Sequence, residues 1–168
     1  MSLSMYQISA PVFVKTLENL SAILDKGAAF AQAKKIDPLV LLGYRLAPDM
    51  FALTKQVQIA SDHAKRACAR LTGVEAPVYE DTEASFEDLK ARIAKTTAFI
   101  HSLTPQQFEG AETREITMKS GGVDRTFLGS LYLLHNALPN FFFHTTTAYA
   151  ILRHCGVEIG KGDFIGKL

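Results

Sequence analysis

The chain has 168 residues, of which 48% are hydrophobic and 21% charged, with eighteen basic side chains against seventeen acidic ones. This composition is typical of one globular domain that buries a core. The formal charge of +1, without a basic run or a basic stripe interleaved with aromatics, argues against nucleic acid as the main partner. No stretch approaches the roughly 18 consecutive apolar residues of a membrane span, and the N-terminus lacks a signal-peptide pattern. We therefore expect a cytoplasmic protein without a membrane partner.

The two cysteines, Cys68 and Cys155, are expected to be reduced thiols. They have neither the spacing of metal ligands nor the density of a disulfide scaffold.

The N-terminal part of the chain predicts a long amphipathic helix. Apolar side chains recur at three- and four-residue spacing from Phe13 onward, which indicates one buried stripe. Ser9 stands where an N-cap is expected, and Pro11 falls in the first turn. Residues 36–49 then carry two prolines and a glycine. They predict a connector with about one helical turn, whose apolar residues 39–42 lie on the bundle.

Two further amphipathic helices follow. The first begins at Asp49 and ends at Gly73, a residue type that favours a helix C-terminus. Residues 74–84 form a polar, acidic crossover, which we expect to be solvated. The next helix starts at Ser85 with a capping-box-like pattern and runs to Leu103.

The periodicity changes before the last helix. Residues 113–127 alternate between apolar and polar on both sides of a turn at 120–122, which predicts a small β-hairpin. After Gly129 a last helix runs to about Cys155, and Gly156 suits the left-handed position that ends it. The remaining tail is expected to be irregular.

Together these elements predict an all-α fold in a single domain spanning residues 1–168. The fold class is a four-helix bundle with long crossover connections and a small β-hairpin before the last helix. The long second and third connections argue against a plain up-and-down meander.

The last predicted helix carries the most informative polar residue, His144. It follows three phenylalanines, and a histidine in such an apolar segment must hydrogen-bond internally, bind something, or face solvent through a cleft. Asn140 precedes it by four residues, hence on the same helical face about 6 Å away. Pro139 removes one backbone donor and is expected to kink the helix, which would either bend it round its core or open a pocket beside Asn140 and His144.

The layout and two passages resemble a known superfamily. KIDPLVLLGYRLAPDMFALTKQVQIASDHAKRA and LPNFFFHTTTAYAILRHCGVEIGK resemble the DinB/YfiT-like superfamily of four-helix bundles, and within it a bacterial branch of unknown function. The resemblance covers nearly the whole chain. It implies a DinB-like fold and a divalent metal held by one histidine of the second helix and two of the last, spaced four apart.

Transferred to this sequence, the resemblance implies a degenerate metal site. The last-helix ligands fall on Asn140 and His144, and the second-helix ligand falls near Gln58, with His63 as the nearest imidazole. Only His144 clearly retains one of the three histidines.

Three hypotheses for function follow. The first is a small-molecule-binding bundle without robust metal catalysis. The second, implied by the resemblance, is a divalent-metal-dependent hydrolase or thiol transferase that uses zinc, nickel or manganese, with His144, Asn140 and His63 as ligands. The third is a dimeric structural or interaction protein in which His144 only packs. The pocket of the first hypothesis would be lined by Gln58, His63, Asn140, His144 and Tyr149.

A homodimer is expected from the run Phe141, Phe142 and Phe143. Three consecutive residues fan across about 200° of a helix, so they cannot all face one core. At least one is expected to meet another element or a second subunit.

Overall fold

The computed structural model describes residues 3–167 and, within that range, every side chain except that of Ser120. It is mostly helical, with one antiparallel hairpin, and this confirms the predicted fold class. The elements are α1 (Ala10–Lys34), α2 (Pro38–Leu42), α3 (Leu53–Thr72), α4 (Phe86–His101), a 3₁₀ turn (Pro105–Phe108), β1 (Glu115–Ser120), β2 (Val123–Leu128), α5 (Gly129–Tyr132), a π turn (Leu133–Ala137), α6 (Leu138–His154) and α7 (Lys161–Ile165).

The four long helices, α1, α3, α4 and α6, form a bundle that is not a plain meander. Helix α4 packs against both α1 and α3, and α6 packs mainly against α3 and more lightly against α1. The consecutive long helices α1 and α3 therefore lie diagonally across the bundle. No helix within residues 3–167 combines the length and the apolarity needed to cross a bilayer.

Helix α1 forms on the predicted apolar stripe. Phe13, Leu17 and Leu24 are fully buried. Ser9 occupies the N-cap position, but the prediction that it caps the helix is wrong. Its hydroxyl instead donates to the carbonyl of Met5 at 2.6 Å, because the preceding chain already turns back over the helix start.

The connector after α1 contains the predicted single helical turn, α2. Asp37 caps it by accepting a hydrogen bond from the Leu39 amide at 3.0 Å. Leu41 and Leu42 are buried as expected, but Leu39 and Val40 are 60% and 57% exposed. Consecutive side chains lie about 100° apart around a helix, so four in a row cannot all face the bundle.

Helix α3 begins at Leu53 and not at Asp49, because the backbone at Ala52 is extended. It ends as predicted at Gly73, whose φ of +76° is the left-handed conformation that favours glycine. Small buried side chains on its inner face let the neighbouring helices approach closely; they are Ala60, Ala64 and Ala67.

Helix α4 starts with the predicted cap. The Ser85 hydroxyl accepts a hydrogen bond from the Asp88 amide at 3.0 Å, and the Asp88 carboxylate accepts one from the Ala84 amide at 3.1 Å. Two backbone donors at the helix start are thereby satisfied.

The hairpin and the start of the last helix follow the predicted order. β1 and β2 pair antiparallel, with Glu115 opposite Leu128. A Cβ atom on Gly129 would lie 1.9 Å from the carbonyl oxygen of Ala111, so only glycine fits there.

The last helix is interrupted where Pro139 was expected to kink it. The chain passes from α5 through the π turn into α6, and the Leu138 amide donates to the Leu133 carbonyl five residues back. A wide turn just before a proline accommodates the missing backbone donor without breaking the helix.

The C-terminal tail is more ordered than predicted. Gly156 has the expected positive φ, +95°, but α7 follows where an irregular tail was expected. Lys26 and Asp163 form an ion pair at 2.6 Å, and the Asn19 amide donates to the Phe164 carbonyl at 3.0 Å. These contacts with α1 supply order that the glycine-rich sequence alone does not indicate.

Candidate functional site

His144 lies where α6 meets α3, and one hydrogen bond defines its orientation. Its Nδ1 lies 2.7 Å from Oε1 of Gln56, a side chain that is only 1% exposed. The Nε2 group of Gln56 donates to the Phe51 carbonyl at 3.0 Å, which leaves Oε1 facing the histidine. An amide oxygen only accepts, so Nδ1 of His144 carries the hydrogen and Nε2 keeps its lone pair.

His63 from α3 stacks on His144. The two ring centroids are 5.8 Å apart and the ring planes differ by 16°. Phe143 packs its ring at a right angle to the His144 imidazole, with 5.2 Å between centroids. Both histidines are half-buried. The structure therefore brings together two of the predicted site residues, His63 and His144.

Both imidazoles are held in the neutral form at neutral pH. Burial lowers the pKa of His63 to about 4, with further lowering by the positive charges of His144, Arg66 and Arg70, while Asp62 opposes the shift. Burial also lowers the pKa of His144. Neutral imidazoles each offer one N–H donor and one lone pair.

Asn140 lies on the same face of α6 as His144 and is half-buried. Its side-chain NH₂ group donates to the carbonyl of Asn136 at 2.7 Å, inside the π turn. The amide therefore helps to satisfy the irregular backbone before Pro139, and its oxygen keeps its acceptor capacity.

Gln58 lies on the other side of α3. Its amide donates to the Glu83 carboxylate at 2.7 Å, and two positions along a helix correspond to a rotation of about 200°. Gln56 thus takes the position beside His144 that was expected of Gln58.

Tyr149 also lies away from the histidine pair. Its ring packs edge-on against Phe164 of α7, with 5.8 Å between centroids. Five residues beyond His144 correspond to about 140° around the helix, which turns Tyr149 towards the C-terminal tail.

A buried ion cluster between α3 and α4 was not predicted. The side chain of Arg92 is only 1% exposed and pairs with Asp62, Asp81 and Glu83 at 2.9 to 3.0 Å. Lys65, which is 2% exposed, joins through Asp62 at 3.0 Å. The prediction of a solvated acidic crossover is therefore wrong for Glu83, whose side chain is 9% exposed, whereas Asp81 stays 41% exposed; both residues fasten the crossover to the bundle.

The position of Arg92 in the sequence is the one feature that could have indicated this ion cluster. Arg92 stands three residues after Leu89 and four before Thr96, so it falls on the buried side of α4. A charge in an apolar stripe indicates a buried pair, but its partners lie on other elements and cannot be read from spacing.

The donor set does not fit the tightly bound metal that the resemblance implies. Within residues 3–167 no group of three His, Cys, Asp or Glu side chains could hold an ion. His144 and His63 supply two imidazoles, and Asn140 supplies only an amide. Two imidazoles and an amide form a weak site for zinc or nickel. The assignment of His144, Asn140 and His63 as metal ligands stays a prediction.

The cysteines are free and poorly suited to nucleophilic chemistry. Burial raises the pKa of the Cys68 thiol to about 12 and also raises the pKa of Cys155. At neutral pH both remain in the thiol form, and the thiolate is the reactive species.

Comparison with known proteins assigns a family and no activity. Residues 5–165 match the family model of a domain of unknown function, DUF1993. A crystal structure at 1.83 Å resolution of a protein of Shewanella denitrificans, described as a DinB family member, is similar with a TM-score of 0.92 and 43% sequence identity. The similarity covers 98% of this chain and 93% of that one. No curated protein matches the chain significantly.

The lowered pKa of His63 predicts a loss of stability in acid. The unfolded chain, with a histidine pKa of 6.5, takes up a proton that the folded chain resists until about pH 4. The free energy of unfolding should therefore fall as the pH drops from 6.5 to 4, with a contribution from His63 of up to about 3 kcal/mol. Urea denaturation at several pH values measures it.

The test variant is His63→Gln. The matched control is His101→Gln, which changes an exposed histidine at the end of α4. The first should flatten the pH dependence in this window, and the second should leave it as in the wild type. An unchanged slope in His63→Gln would contradict the assigned environment of His63.

Proposed function

The chain belongs to the DUF1993 family of DinB-like domains, and on that premise we propose that it binds a small molecule at the α3–α6 seam. We define the α3–α6 seam as the boundary between two rows of side chains. One row consists of residues 56, 63, 66 and 70 of α3. The other consists of residues 132, 136, 140 and 144, which belong to α5, the π turn and α6. The protein acts there as a binding bundle and does not depend on a tightly held metal.

The pairing of His63 with His144 carries the proposal. No protein group within residues 3–167 hydrogen-bonds to the His63 ring. The Gln56 amide orients His144 so that Nε2 keeps its lone pair. Buried and half-buried polar groups normally have partners, and a bound ligand would supply those that are missing.

An apolar groove beside the histidine pair supports a ligand with an apolar part. The groove has a volume of about 500 Å³ and is open to solvent. Phe143 belongs to both features, because it lines the groove and packs against His144. The groove is lined by Leu46, Pro139, Phe142, Phe143, Thr146, Thr147 and Ala150.

A ligand-observed NMR screen of a fragment library against the full chain tests this function. We expect fragments whose affinity falls at least about tenfold, or about 1.4 kcal/mol, in both His63→Ala and His144→Ala. His135→Ala replaces an exposed histidine of the π turn and should retain binding. Circular dichroism establishes that the variants fold. If no fragment binds, or if binding survives both substitutions, the proposed function is wrong.

The metal-dependent hydrolase or thiol transferase is the second candidate. It is favoured by the lone pair on Nε2 of His144, because metal-binding histidines commonly donate their other ring N–H to an oxygen acceptor. Elemental analysis of the untagged protein used in the screen decides between the two. We expect well under one equivalent of zinc, nickel or manganese. If the wild type holds one equivalent of an ion and His144→Ala loses it, the metalloenzyme is the correct function and the metal-free binding protein is not.

We also propose that two copies of the chain associate through the outer face of α6. Phe142 and Phe143 are 36% and 56% exposed, and Leu46 beside them is 42% exposed. Apolar patches that exceed isolated side chains mark interaction surfaces, and a second copy would cover the open side of the groove. The two free cysteines support a reducing, cytoplasmic location for this assembly.

Light scattering at micromolar concentration tests the dimer. The wild type should give twice the monomer mass of 18.4 kDa, and Phe142→Glu should give the monomer because a charge cannot be buried unpaired at an apolar contact. Val78→Glu, a change at a 90% exposed position on the crossover, should stay dimeric. A monomeric wild type would remove the proposal.

A further inference from the structure

The α3–α6 seam carries cationic side chains and lacks acidic ones. Residues 129–154, which contribute one side of the seam, contain no aspartate or glutamate. Helix α3 contains a single acidic residue, Asp62, and on its seam side it carries His63, Arg66 and Arg70 at helical spacing. The α3 side of the seam therefore presents positive charge, and the side formed by residues 129–154 adds no negative charge to oppose it.

The one carboxylate of α3 is committed to other cations. Asp62 pairs at 3.0 Å with Lys65, with Arg66 and with the buried Arg92. Three cations thus share this carboxylate, two of them in the ion cluster towards α4. Asp62 therefore neutralises one seam cation, Arg66.

Among the described residues, Arg70 is the seam arginine that has no carboxylate partner. Its Nη1 donates to the Tyr132 hydroxyl at 2.9 Å, and no carboxylate of residues 3–167 lies within ion-pair distance of it. A guanidinium has five N–H donors in a planar fork. The buried Tyr132, which is 1% exposed, fixes one of these groups and leaves the others for a ligand.

The antiparallel packing of α3 and α6 brings these groups into one line. Arg70 lies opposite Tyr132, and His63, two turns earlier and about 10 Å along the axis, lies opposite His144. Arg66 stands between them on the same side of α3 and is 57% exposed. The line contains several donors and no acidic group.

We propose that the seam binds an anionic head group, a carboxylate or a phosphate, with Arg70 as its cationic anchor and the imidazole of His63 as a further donor. Planar bidentate donation by arginine suits both oxyanions, and a half-buried position strengthens the attraction. The inference rests on the proposed small-molecule function and names the chemical class of its ligand.

Acetate and acetamide test the inference, because they have nearly the same shape and differ in charge. Each is titrated into ¹⁵N-labelled full-length protein at constant ionic strength and pH, and inorganic phosphate is titrated in parallel. We expect acetate or phosphate to shift the backbone amides of residues 63–70 and 132–144 saturably, with a dissociation constant on the order of millimolar. Acetamide should shift them at least tenfold more weakly. The stronger of the two anions identifies the head group.

Arg70→Gln should weaken binding of the anion at least fivefold, whereas Arg70→Lys, which keeps the charge but loses the planar fork of donors, should weaken it less. Arg153→Gln, at an exposed arginine near the end of α6, is the control for general surface charge and should bind as the wild type does. A wild-type-like spectrum away from the seam shows that each variant is folded.

Three results would overturn the inference. Equal shifts from acetate and acetamide would show that the seam binds small molecules without selecting charge, which leaves the proposed function intact. Equal weakening by Arg70→Gln and Arg153→Gln would assign the effect to overall charge. Shifts that never saturate, or that spread over the whole surface, would show that no anion site exists, and the fragment screen then decides the proposed function by itself.

Discussion

The hydrogen bond from His144 to Gln56 is the contact on which the α3–α6 seam depends. It joins the buried Gln56 of α3 to the half-buried His144 of α6, and it sets the tautomer of the imidazole. His63 then stacks on a ring whose orientation is fixed. The pair stays neutral because burial lowers the pKa of both rings, and at His63 the charges of Arg66 and Arg70 lower it further. The proposed ligand site is based on this pair.

Helix α3 has two polar edges with opposite roles. Towards α4, Arg92 and Lys65 are buried in an ion cluster whose acidic partners lie on α3 and on the crossover. Opposite charges satisfy one another there, and the cluster fastens the long connection to the bundle. Towards α6, Arg70 has only a tyrosine hydroxyl as partner. The same helix thus contributes to a closed structural network on one side and to an open donor surface on the other.

The sequence predicted the fold well because its signals are local. The helix stripes, the Ser85 cap, Gly73, Gly156 and the hairpin all follow from spacing and backbone preference. The site was predicted only in part. His63 and His144 lie together, as the small-molecule-binding hypothesis requires. Gln56 and not Gln58 contacts His144, because this depends on the rotation of α3 about its axis. The spacing of apolar residues predicts that rotation only to within a turn. The acidic partners of Arg92 lie on elements that are distant in sequence, so residue spacing within α4 cannot predict them.

The tautomer of His144 tests the account most directly. Long-range ¹H–¹⁵N correlation spectra of the histidine rings at pH 7.5 report which nitrogen carries the hydrogen. The hydrogen bond to Gln56 predicts a single neutral form of His144 with the hydrogen on Nδ1, and loss of that preference in Gln56→Ala. A wild-type His144 with the hydrogen on Nε2, or in rapid exchange between both forms, would contradict the seam described here.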